Sequence, residues 1–94
     1  MNEIGRQVLR QRLETISETI TRVAGFHEPV RTHRLHGSAR ALRQTAKSCK
    51  DVHEEHLARR VTVASVLLFK NPAEPDEALK VLAEITEGLV SKKG

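Results

Sequence analysis

The sequence has no Trp or Tyr, only two phenylalanines (Phe26 and Phe69) and a single cysteine, Cys49. With so few aromatic platforms, recognition of single-stranded nucleic acid by base stacking is disfavoured. A lone cysteine closes no internal disulfide and builds no multi-cysteine zinc site. The longest unbroken apolar run is Val66 to Phe69, far short of the roughly 20 residues that span a bilayer. The opening stretch MNEIGRQVLRQRL is charged and periodic where a secretory signal has an apolar block. The expectation is a soluble, cytoplasmic protein with no membrane contact.

What is present describes one domain over residues 1–94. Hydrophobic residues make up 38% and charged residues 30% of the chain, too apolar for a wholly disordered one. A core without large rings must be filled by Leu, Ile, Val and Ala, which suits packed helices.

The apolar spacing marks those helices. Leu9, Leu13, Ile16, Ile20 and Val23 fall 4, 3, 4 and 3 apart, on one face of a first helix from about Asn2 to Ala24. Asn2 is its expected N-cap, and Gly25 stands where a left-handed residue ends a helix. Pro29 opens a second helix running to about Gln44, with Leu35, Ala39 and Leu42 inward. Ala46, Cys49, His53, Leu57, Val61, Ala64 and Leu68 continue at helical spacing, and periodicity leaves open a bend between Gln44 and Ser48. The β-branched stretch over residues 61–69 admits a strand; a buried helix end is preferred, because no partner strand is visible. Pro75 starts a last helix, with Asp76 and Glu77 at its dipole end and Ala78, Leu82, Ile85 and Leu89 inward, ending before SKKG. Four helices with short links predict an all-α, antiparallel four-helix bundle.

Charge is uneven. The net charge is +4, yet residues 31–50 hold Arg31, Arg34, Arg40, Arg43, Lys47 and Lys50 with no acid. Residues 71–90 hold five acids and one lysine. Either the basic stretch is neutralised against the acidic last helix, or it faces a partner.

The stretch from His33 to Leu42 carries the chemistry. At about 100° per residue, Leu42 and Leu35 lie about 180° and 200° from His33, while Gly37, Arg40, His36 and Gln44 lie within about 60° of it. If the leucines face the core, His33 faces water. Glycine inside a helix costs on the order of 1 kcal/mol. Gly37 therefore either opens a gap for an approaching surface or ends a short helix, with Ser38 capping the next. An exposed imidazole is largely neutral at pH 7, hence nucleophilic, and can carry a covalent intermediate. Arg34, His36 and Arg40 would compensate a phosphoryl group on it, and the same cations would complement an acidic partner.

His33, Leu35, Gly37, Ser38, Ala39 and Leu42 resemble the signature of histidine-containing phosphotransfer (HPt) domains, roughly H-x-L-K-G-S-A-x-x-L-G. The likeness covers about ten residues. It departs at His36, where the family usually has lysine, at Arg43, where it usually has glycine, and at Thr32, which replaces a common alanine. The resemblance implies a phosphorelay carrier. His33 would accept a phosphoryl group from a receiver-domain aspartate and pass it to another receiver, with a receiver domain or sensor kinase as partner. No cofactor of its own is implied, because the receiver supplies Mg²⁺. Gly37 would be the docking gap, with Arg34, His36, Arg40, Arg43 and Gln44 around it.

The other histidines bear on metal binding. Cys49, His53 and His56 stand at i, i+4 and i+7, so one helix face can present three ligands. No further cluster completes the set, and no metal is expected. His27 continues the first apolar seam and is expected to be partly buried. The alternative function is a non-enzymatic regulatory or adaptor protein. In that reading the stripe His36, Arg40, Arg43, Lys47 and Lys50 binds DNA or an acidic protein surface. It includes a homodimer variant that pairs through the Leu9–Val23 seam. Either way the chain is a carrier or binding module more than a true enzyme.

Overall fold

In the computed structural model, which describes residues 2–90, Asn2 starts the first helix as its spacing predicts. The Asn2 side-chain oxygen accepts from the Gly5 amide at 2.7 Å, satisfying one of the donors a helix start leaves orphaned. α1 (Glu3–Val23), α2 (Val30–Asp51), α3 (Glu55–Phe69) and α4 (Pro75–Val90) follow. Among the described residues there is no strand. The helices pack in a ring, α1 on α2, α2 on α3, α3 on α4 and α4 on α1, so α2 and α4 occupy opposite corners. The result is an all-α, antiparallel four-helix bundle of 42 × 21 × 17 Å. Among the described residues no helix is long and apolar enough to cross a membrane.

The predicted inward positions form one core. Leu13, Ile20, Leu35, Leu42, Val61, Leu68 and Leu82 are all 0% exposed. Alanines at 39, 46, 58, 64 and 78 fill the places between them, which lets helices without bulky rings approach closely. α4 begins at Pro75 with Asp76 and Glu77 in its first turn; where it stops, toward residues 91–94, lies outside the described residues.

Four expectations are corrected. α1 does not end on a left-handed Gly25. The amides of Gly25 and Phe26 instead donate to Arg22 and Val23, at 3.3 and 2.9 Å, a tightened last turn. His27 lies exposed in the connection after it. The second helix does not stop near Gln44, and the bend that periodicity leaves open between Gln44 and Ser48 is absent. α2 runs on to Asp51, and the reversal falls at 52–54, where His53 takes a φ of 64°. Histidine tolerates that left-handed region better than the branched Val52 before it would. The helical spacing of Cys49, His53 and Leu57 is thus split between α2, the turn and α3. The Leu9–Val23 seam is the bundle's own core, which removes it as a dimer surface.

Pro29 holds the N-cap position of α2, and the Glu28 side chain before it supplies the capping hydrogen bonds. Its carboxylate accepts from the Thr32 amide at 3.0 Å and the Thr32 hydroxyl at 2.7 Å, and from Arg31 at 3.2 Å. Chiefly the Thr32 hydrogen bonds, with Arg31 beside them, hold this carboxyl below its ordinary range. The ionised form is therefore the one the fold favours. Its contribution is complete above the unfolded carboxyl value of about 4.3 and fades as pH falls through the lowered folded value. Denaturation of the wild type and Glu28→Gln is expected to show a gap in stability at pH 7 that closes as pH falls through the lowered folded value. A gap constant with pH would mean the carboxylate's charge does nothing.

Candidate functional site

Leu35, Ala39 and Leu42 anchor α2 inward, and this orientation turns the opposite side of the helix to solvent. His33 stands there, exposed, in the helix's opening turns, its amide bonded to the Pro29 carbonyl at 3.2 Å. The helix passes through Gly37 without a break, and Ser38 is 7% exposed, packed in the bundle. Gly37 therefore does not end a helix, and Ser38 caps none. A methyl group added at Gly37 would meet nothing within 4 Å. Solvent-facing backbone lies one turn from the imidazole.

The predicted site residues divide into two groups. Arg34 and Gly37 face the α1 side, where they line a cavity of about 270 Å³ with Thr19, Arg22 and Phe26. Arg40 and Gln44 are exposed along the ridge itself. His36 and Arg43 turn the other way, toward α3. The His36 ring is half-buried, 5.0 Å from the Phe69 ring and tilted 45° to it. The Arg43 guanidinium carbon lies 5.5 Å from the centre of that same ring, a cation–π distance. His36 is thus committed to packing, and it does not stand free beside His33 as a lysine would.

Phe69 is the residue the sequence did not point to. It ends α3, and only the return of α3 along α2 brings it between His36 and Arg43. Its one signal was being one of two phenylalanines in the chain.

The basic residues are not neutralised inside the bundle. α4, with its acids, sits at the corner opposite α2, and its Glu84 pairs with Arg60 of α3 at 3.0 Å. Among the described residues, Arg34, Arg40, Arg43, Lys47 and Lys50 have no carboxylate partner. Arg31 alone of this stretch is paired, with Glu28.

Cys49 is buried in α2 at 3% exposure, and burial pushes its thiol upward. His53 lies in the turn and His56 on α3, so the one-face ligand set does not exist. Among the described residues no three His, Cys, Asp or Glu side chains gather around a common point. Compared with protein-family models, with curated proteins and with solved structures, the chain gives no match to any.

Proposed function

We propose that this chain is a phosphorelay carrier, a histidine phosphotransfer module acting in the cytoplasm between receiver domains or a sensor kinase and a receiver. The observation that carries the reading is an exposed His33 on an unbroken helix with open backbone at Gly37 beside it. In the step, a ring nitrogen of His33 attacks the phosphorus of an aspartyl phosphate. The P–N bond forms as the P–O bond to the aspartate breaks, and the carboxylate leaves with the electron pair. Transfer to the next receiver reverses this at a second aspartate. The receiver's own acidic pocket and Mg²⁺ stabilise the moving phosphoryl group, so the carrier holds no cofactor.

The surroundings suit the charge that His33 would then bear. The positive end of the α2 dipole lies in the adjacent turn, and the Glu28 carboxylate there is balanced by Arg31. Arg40, two turns on, leans its side chain toward the helix start as helical side chains do, and Arg34 lies next in sequence. His36, held on Phe69, takes no part. Incubation with phosphorylated receiver domains is expected to give an acid-labile, base-stable adduct that His33→Gln abolishes. Labelling that survives in His33→Gln, or that never forms with any receiver, sinks the reading.

One observation favours a second reading, binding to a polyanion such as duplex DNA: five cations of α2 have no carboxylate partner among the described residues. If all five meet phosphates, log affinity falls against log salt with a slope of about −4.5. Arg40→Ala with Lys47→Ala would bring that slope to about −2.7. Binding that is absent, or unchanged in the double variant, rejects it.

A further inference from the structure

The end of α2 remote from His33 belongs to a surface that phosphotransfer does not use. An open groove of about 470 Å³ lies there between α2 and α3, lined by Lys50, Glu55, Ala58, Arg59, Thr62 and Val63. Its floor is apolar. Ala58 is buried, and the Thr62 hydroxyl donates to the Ala58 carbonyl at 2.8 Å, so it adds no free donor. Val63, and Val66 a turn on, are 50% and 54% exposed, large aliphatic side chains left in water. From Glu55 to Val66 the outward side of α3 runs about 16 Å, three turns of helix.

Both walls are basic. Lys50 stands on the α2 wall and Arg59 on the α3 wall. Lys47, exposed and one turn before Lys50, extends the α2 side. Among the described residues none of the three has a carboxylate partner. Glu55 is the one acid of the lining, and it sits in the first turn of α3, at the end of the groove nearest the reversal. The groove therefore combines an aliphatic strip with unpaired cations on either side of it.

We propose that this groove receives a helix of another protein, about three turns long, with an aliphatic stripe and acidic residues along both flanks. The stripe covers Val63 and Val66. Acids on one flank reach Lys47 and Lys50, and on the other Arg59. An extended segment is disfavoured: the described residues hold no strand to pair with it, whereas a helix satisfies its own amides and carbonyls. A basic partner would set like charges together on both walls. A nucleic-acid backbone would satisfy the cations and leave the valines without apolar contact. A second copy offers no matching helix. The acidic α4 has Val90 as its one exposed large aliphatic among the described residues, and α1, which exposes Ile4 and Val8, carries four arginines against three glutamates. Lys50 lies about 25 Å along α2 from His33, so docking here and phosphotransfer are separable, and the proposal does not rest on the latter.

The probe is a labelled, side-chain-stapled peptide of about 14 residues, with leucine along one helical face and glutamate on both flanks. Fluorescence anisotropy with the full chain is expected to show saturable binding that weakens as salt is added. Val63→Gln and Arg59→Glu should each weaken it about tenfold or more, with helicity by circular dichroism unchanged, since both are surface residues. A peptide with lysine in place of glutamate should bind only the double variant Lys50→Glu with Arg59→Glu. His33→Gln should bind the acidic peptide as the wild type does. A peptide that does not bind, or binding indifferent to Val63→Gln, would overturn the proposal. So would tighter, Val63-dependent binding to phosphatidylserine vesicles, which marks a membrane surface, or a Val63-dependent dimer of the chain alone in sedimentation equilibrium.

Discussion

Replacing Leu42 by alanine is expected to lower the free energy of unfolding by about 3 kcal/mol. The side chain is 0% exposed and sits on α2, the helix that packs on both α1 and α3. Removing it forfeits the transfer free energy of three buried carbons and leaves a void. The neighbours along its face, Leu35, Ala39 and Ala46, are fixed on the same unbroken helix and cannot fold in to fill it. Domains of this size hold roughly 5–15 kcal/mol in all, so one substitution takes a large share. In urea denaturation the midpoint should fall while the slope stays the same. A loss under about 1 kcal/mol would mean that the four helices do not share a close-packed interior.

Gly37→Ala is expected to act in the opposite direction, stabilising the bundle by about 1 kcal/mol. The residue lies inside α2, in helical conformation, and the added carbon meets nothing within 4 Å. Alanine loses less backbone freedom on folding and shields the adjacent peptide groups. The same denaturation experiment measures the gain, and a loss would show that the glycine answers a need of the fold. With a gain, the advantage of a bare backbone lies in what approaches from outside. A larger residue such as glutamine at this position should then slow phosphotransfer while leaving the midpoint near that of the alanine variant.

Much of this architecture was legible in the sequence, and the reasons are local. The 4-3-4-3 apolar spacing of α1 and the proline-opened, acid-started α4 are rules obeyed within a few residues, and both hold. The exposure of His33 followed from the opposed leucines alone. The turn between α2 and α3 was not legible. It has no glycine or proline, and a single histidine in an unusual backbone region makes it; the apolar rhythm runs through it and suggests one continuous rod. The roles of His36 and Arg43 were also out of reach. Both depend on Phe69, some thirty residues away in the chain, and angular position on one helix says nothing of what the next helix brings alongside. Composition leaves open whether α4 neutralises the basic stretch, and ring order in the bundle, which sets α4 opposite α2, decides against it.

The continuity of α2 from Val30 to Asp51 sets a distance scale for its charges. His33, Arg40 and Lys47 recur at seven-residue intervals, which places their backbones about 10.5 Å apart along the axis. Mobile ions damp an exposed field over about 8 Å at physiological ionic strength. At backbone spacing Arg40 already lies beyond that length, so it acts on a group carried at His33 only through the reach of its side chain toward the helix start, while Lys47, about 21 Å away, is felt only by something large enough to cover both. Added salt should accordingly slow the first meeting with an acidic partner far more than it alters how firmly a small anion is held at the imidazole.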